Sequence, residues 1–190
     1  HWPLDILCDL LAWMAAHEWA VWQRAAAPAW TVALAIAGSL WMLVPLWWHW
    51  RILGALWMLP LLAHPSPRPG EGDLWLTVLD VGQGLAVVAR TREHALLFDA
   101  GPRYSPEADG GNRVIVPFLR GEGVTRLDTV VLSHDDVDHT GGARSTIGAL
   151  QTGTLHSPLP PGHPARAGVR DHVPCSTGLR WSWDQVEFEY

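Results

Sequence analysis

Ser133-His134-Asp135-Asp136-Val137-Asp138-His139-Thr140-Gly141-Gly142 decides how this chain is read. Four metal-ligand side chains, His134, Asp136, Asp138 and His139, fall within six residues. The apolar run Thr129–Leu132 precedes them and a glycine pair follows. The pattern predicts a buried strand delivering a ligand cluster into a tight loop. Histidine and aspartate suit zinc, and carboxylates also suit manganese. In an extended loop His134 and Asp136 point the same way, whereas the adjacent Asp138 and His139 cannot. The simple solution is two metals, one on His134 and Asp136 and one on Asp138 and His139. Two ions roughly 3.5–4 Å apart can share a hydroxide and clamp a phosphate or acyl transition state. Asp135 is read as solvent-exposed or capping. The plain alternative is an acidic surface loop with two incidental histidines.

Working outward, Asp99 ends the apolar stretch Ala95–Phe98 and precedes Gly101. A carboxylate there would orient the metal loop by hydrogen bonds, as supporting groups around metal sites do; otherwise it is a turn aspartate. Asp80-Val81-Gly82-Gln83-Gly84 follows another strand and reads as a tight turn, not a dinucleotide site, because no helix begins after it. His156, His163 and His172 lie in a Pro/Gly-rich stretch and read as ordinary loop histidines.

Leu74–Leu79, Leu85–Ala89 and Ala95–Phe98 read as short strands, Thr129–Leu132 as a fully buried one. Asn112–Arg120 reads as a helix capped by Asn112, and Ala143–Leu150 as a helix behind the metal loop. Trp181–Tyr190 alternates and predicts a hairpin turning at Asp184-Gln185. Strands followed by mixed strand and helix predict a layered α/β sandwich over residues 73–190. Residues 65–72, rich in proline and glycine, read as a linker.

The N-terminal third differs. Ten of the thirteen tryptophans lie in residues 1–57, while most of the charge comes after residue 70. Leu4, Leu7, Cys8, Leu11 and Met14 recur at helical spacing, with Trp13, Trp19 and Trp22 adding aromatic bulk. Residues 1–27 therefore read as an amphipathic helix at a membrane interface, with a buried bundle helix as the alternative. Pro28–Trp48 holds no charged residue. As one helix it would cross a hydrocarbon core of about 30 Å, with Trp30 and Trp47, Trp48 and Trp50 as interfacial belts. Pro45 would kink or end it. Ile52–Ala63 is apolar but short, so residues 28–64 read as a transmembrane helical hairpin. If Arg51 marks a cytoplasmic turn, the C-terminal domain faces outward; Arg24 and Arg68 argue the other way.

The net charge of −6 argues against a simple nucleic-acid binder, although two bound dications would reverse the local sign. Cys8 and Cys175 are too isolated for a disulfide framework or a Cys-x-x-Cys pair. A start at His1 and a stop at Tyr190, within a strand-like pattern, suggest an internal piece of a longer protein.

Ser133-His134-x-Asp136-x-Asp138-His139-x-Gly141-Gly142 resembles the metal motif of the metallo-β-lactamase fold, with Asp136 where a second histidine usually stands. Together with Leu79-Asp80-Val81-Gly82-Gln83-Gly84, Phe98-Asp99-Ala100-Gly101 and Val116-Pro117-Phe118-Leu119-Arg120, it resembles the C-terminal part of ComEC-type competence proteins, which carry transforming DNA across the bacterial inner membrane. The resemblance implies a four-layer αββα sandwich, here truncated, and a nuclease degrading the strand that is not imported. It implies His134, Asp136, Asp138 and His139 as ligands of two divalent ions (zinc or manganese), Asp138 also as the catalytic carboxylate, and Asp99 as a supporting group. The implied partners are single-stranded DNA, membrane lipid and other competence proteins; the Arg51 reading above puts the soluble domain on the periplasmic side. Leu85 departs from the acidic residue of many relatives, and the expected downstream Gly-Asp and His-His-Gly segments are absent. Two other readings stay open: a metal-free DNA-handling module of the channel, and a membrane-tethered metallohydrolase of another ester.

Overall fold

The computed structural model describes residues 2–17, 25–45 and 47–190. Trp19, Trp22 and Arg24 lie outside them. The N-terminal third is helical: α1 (Trp2–Ala15), α2 (Ala29–Leu43), α3 (Trp48–Leu56) and α4 (Leu59–Ala63). Helices α2 and α3 pack as a hairpin where two glycines let their backbones touch. A Cβ on Gly38 would lie 2.3 Å from the Gly54 carbonyl oxygen, and one on Gly54 2.5 Å from that of Gly38. Trp41 Nε1 donates to the Trp50 carbonyl at 2.9 Å, and Arg51 Nε to that of Met42 at 2.8 Å.

The expectation of one spanning helix over Pro28–Trp48 is corrected here. Helix α2 has 15 residues and ends at Leu43; the next residue, Val44, is extended just before Pro45. Proline disfavours the helical conformation in the residue before it. At 1.5 Å per residue α2 is about 22 Å long. Among the described residues no helix is long and apolar enough to cross a membrane.

From Trp75 the chain builds a six-stranded mixed sheet: β1 (Trp75–Val78), β2 (Val87–Arg90), β3 (Ala95–Phe98), β4 (Arg126–Val131), β5 (Gln151–His156) and β6 (Asp171–Val173), ordered as numbered. β1, β2 and β3 pair antiparallel; β3 to β6 run parallel. Alternation sorts the side chains to two faces. Val88, Leu97, Val130 and Leu155 face Ile115, Leu119 and Ile147, from a π-helical turn (Gly111–Ile115), α5 (Val116–Gly121) and, after a short α6 (Val137–Thr140), α7 (Ala143–Ala149). Ala89, Leu96 and Val131 face the opposite way, onto Trp181, Trp183, Phe188 and Tyr190. These belong to a hairpin, β7 (Arg180–Trp183) and β8 (Val186–Glu189), that turns through Asp184 and Gln185, both at positive φ, as the alternation predicts. The described residues thus form a helix layer, a six-stranded sheet and a two-stranded hairpin on its other face. A fourth layer is not among them.

The expected cap at Asn112 is corrected by one turn. Asp109 Oδ1 accepts from the Asn112 amide at 2.8 Å, and the Asn112 side chain accepts from the Asp109 amide at 3.1 Å. The cap is therefore reciprocal, with Asp109 at its head.

The linker after the helical third is attached to the sheet domain by a buried arginine. Arg90, 7 % exposed, donates to Glu122 at 2.7 Å and to the Pro67 carbonyl at 3.0 Å. The Ala26 amide also donates to the Gly121 carbonyl at 2.7 Å.

Candidate metal centre

The carboxyl ends of the parallel strands β3 and β4 meet at one point, where Asp99 and the loop Ser133–Asp136 face each other. Asp99 is fully buried and sits at φ 55°, a region that aspartate enters more readily than most residues. Its neighbours bind three segments. The Asp99 amide donates to Val131, that of Ala100 to His139 and that of Gly101 to Leu85.

The Asp99 carboxylate is the hub. Oδ1 accepts from the Ser133 amide at 2.8 Å. Oδ2 accepts from the Ser133 hydroxyl at 2.8 Å and from His139 Nδ1 at 2.7 Å. Because Ser133 Oγ–H is committed to Asp99, its lone pair accepts from His134 Nδ1, 2.8 Å away. Both histidines therefore carry their proton on Nδ1, His139 directly and His134 through the serine. In the neutral rings Nε2 is then the free lone pair, the tautomer a metal ligand needs.

The four expected ligands come together on that side. His134 Nε2 lies 3.2 Å from Asp136 Oδ2, and His139 Nε2 3.6 Å from Asp138 Oδ2. The two imidazole centroids are 4.0 Å apart. Each pair sets an imidazole nitrogen against a carboxylate oxygen, an arrangement met by a proton on Nε2 or by a cation between the two. A divalent cation fits in charge and in donor type. Among the described residues, however, no three His, Cys, Asp or Glu side chains are grouped to hold one ion. The residues present fit part of a metal site, two donors at each of two positions.

The glycines behind the loop are required by close contact. A Cβ on Gly142 would lie 2.3 Å from the Ala100 carbonyl oxygen, and one on Gly84 2.3 Å from that of Asp138. Gly84, at φ 140°, thus belongs to the floor of the site, which reading Gly82-Gln83-Gly84 as a simple turn does not reveal.

One neighbour escaped sequence reading altogether. His163 Nε2 lies 3.0 Å from Asp135 Oδ1, in the middle of the ligand loop. Only a fold brings these two together; no spacing rule signals it. His156, in contrast, is buried at the end of β5 against the Tyr190 hydroxyl. Burial pushes its pKa down, and His172 adds to the effect.

Comparison with known proteins agrees with this layout. Residues 79–174 match the family model described as the metallo-beta-lactamase superfamily. "Competence protein ComA" of Neisseria gonorrhoeae is 35% identical over 95% of this chain and 24% of its own length. "Recombination protein 2" of Haemophilus influenzae is 33% identical over 58% of this chain and 13% of its own, and "ComE operon protein 3" of Bacillus subtilis 33% over 39% and 11%. The chain spans a quarter or less of the length of these relatives. Among solved structures, a subclass B3 metallo-beta-lactamase from a soil metagenome library aligns with a TM-score of 0.41 at 19% identity, over 60% of this chain and 49% of that one. The expected kinship with ComEC-type competence proteins is met. From the ligand loop, the sheet beneath it and these relatives together, the chain belongs to the metallo-beta-lactamase superfamily, in the branch that includes competence proteins.

Proposed function

We propose that this chain belongs to a DNA-uptake protein of the bacterial inner membrane, and that its lactamase-like unit is a metal-dependent phosphodiesterase acting on the strand that is not imported. The observation that carries the hydrolytic reading is the Asp99 hub, which holds both imidazoles by Nδ1 and turns their Nε2 atoms towards two carboxylates. In this reading His134, Asp136, Asp138 and His139 are ligands and Asp99 is their support. Divalent zinc or manganese held there would polarise a phosphoryl group and provide a nucleophile at neutral pH. The chain's own work is orientation. Asp99 locks the two rings, Gly84 and Gly142 let the surrounding backbone close in, and Asp138, partly exposed, takes up a proton released during attack.

Residues 1–27, 28–64, 65–72 and 73–190 are proposed as interfacial helix, membrane hairpin, linker and lactamase-like domain. Support for the membrane assignment is the apolar surface that the helices leave open, including Trp2, Leu10, Ile36, Leu43, Trp47 and Trp48. Large apolar side chains exposed in such number along one segment mark a surface that water does not cover. The names of the relatives support competence-machinery proteins and DNA as partners, and we place the lactamase-like domain on the periplasmic side.

The test is cleavage of an end-labelled single strand by the full-length gene product with manganese or zinc, beside His139→Ala. Cleavage by the parent and a loss of several hundredfold or more in the variant is expected. Strand binding without cleavage in either metal would instead favour a metal-free DNA-handling module. Cleavage of a small ester but not of DNA would favour a hydrolase of another ester.

A further inference from the structure

Two pockets of the sheet domain are each lined by more than one arginine, and they differ in what those arginines already hold. One, of about 220 Å³, lies at the amino end of β4, away from the ligand loop. Every arginine in it is matched: Arg68 with Glu93 at 3.0 Å, Arg90 with Glu122 at 2.7 Å, Arg92 with Glu71 at 3.5 Å and Arg126 with Asp128 at 3.2 Å. That pocket is a joint between linker and sheet.

The other, of about 360 Å³, lies in the crossover between β5 and β6. His163, Arg166, Arg170 and His172 line it, and no carboxylate does. Arg166 Nη1 donates to the Leu159 carbonyl at 3.1 Å, which fixes the side chain but leaves its charge unmatched. Arg170 is exposed and has no hydrogen bond or ion pair among the described residues. In a chain of net charge −6, this is a local concentration of free positive charge. His163 joins the pocket to the ligand loop. Its Nδ1 accepts from the Ala165 amide at 3.2 Å, so Nε2 carries the proton and donates to Asp135 Oδ1 at 3.0 Å. Asp135 stands between His134 and Asp136.

From this geometry we propose that the Pro158–Arg170 crossover seats a single phosphodiester strand beside the ligand loop. Arg166 and Arg170 hold its phosphates, and the half-buried rings of His163 and His172 offer flat faces to its bases. The His163–Asp135 bond sets the distance from seat to ligands. That the seated strand is the one cut rests on the hydrolytic reading above; the seat itself does not.

Fluorescence anisotropy of a labelled oligothymidylate, titrated in EDTA at several salt concentrations, separates the two. Arg170→Ala should weaken binding roughly threefold at moderate salt and lower the slope of log K against log salt by about 0.7, the share of one phosphate contact to a single strand. Arg170→Lys should keep the slope. A strand with uncharged methylphosphonate linkages should bind Arg170→Ala and its parent alike. Equal affinity and slope for Arg170→Ala and its parent would overturn the seat. So would an Arg170→Ala defect confined to phosphatidylglycerol vesicles, which would mark a lipid site. An Arg170-dependent strand that is never cut refutes the hydrolytic reading and keeps the seat. Cutting by Arg170→Ala with an unaltered KM refutes the seat and keeps the hydrolytic reading.

Discussion

Replacing Asp99 by asparagine should invert the tautomer of His139. In the parent, Asp99 Oδ2 accepts two protons, from Ser133 Oγ at 2.8 Å and from His139 Nδ1 at 2.7 Å, while Oδ1 accepts from the Ser133 amide at 2.8 Å. An asparagine keeps the last bond by turning its carbonyl towards the amide. Its NH2 then faces His139 Nδ1 and can bond only if that nitrogen is unprotonated. The proton moves to Nε2, where it blocks a metal lone pair. Hydrogen bonds to a charged group are worth about 1.5–3 kcal/mol each, and asparagine recovers part of the two lost, so unfolding free energy should fall by about 2–4 kcal/mol. Metal affinity should fall about 10–100-fold, as for other losses of ligand-orienting groups. Long-range nitrogen–proton NMR of the imidazoles reads the tautomer directly, and urea unfolding reads the stability. Ser133→Ala is the control: it removes the relay to His134 Nδ1 but leaves His139 on Asp99. If His139 keeps its proton on Nδ1 in Asp99→Asn, with an unchanged unfolding midpoint, the hub is not what orients the site.

Other predictions follow from single contacts. Gly84→Ala puts a Cβ against the Asp138 carbonyl at φ 140° and should destabilise by about 1–3 kcal/mol in urea unfolding, with a larger effect on metal binding than Gly82→Ala, which meets open space. Arg90→Ala strips Glu122 and the Pro67 carbonyl of a common donor and should cost about 2–3 kcal/mol while speeding cleavage after Glu71 by a glutamate-specific protease. Hydrogen bonds from Thr91, the Glu93 amide and His94 hold the Asp184 carboxyl at about 2, below its ordinary 3.8. Its contribution is therefore complete above pH 3.8 and disappears as pH falls towards 2. The stability advantage of the parent over Asp184→Asn should shrink across that window in acid unfolding and stay flat above it.

Local patterns carried the sheet well and the helices less well. Ala95–Phe98 is bounded by turn residues and buried on both faces, so its limits are legible to the residue. The Trp181–Tyr190 hairpin shows its alternation openly. β5 was invisible because Gln-Thr-Gly-Thr has no apolar alternation; only Leu155 and the residues after it are buried. The uncharged run Pro28–Trp48 says that the segment avoids water but not where it breaks, and Pro45 breaks it. At the site, the ligand cluster and the support from Asp99 could be read from residue type and spacing. The Ser133 relay, the Gly84 contact and the His163–Asp135 bond could not, because each joins segments that only the fold brings together.

The most direct measurement of the central idea is calorimetric titration of the protein with manganese and with zinc, for the parent and for His139→Ala. Binding of at least one divalent ion by the parent, weakened tenfold or more in the variant, is the outcome that the lone pairs fixed by Asp99 require. Equal binding by both proteins, or none by the parent, would contradict a metal centre built on this loop.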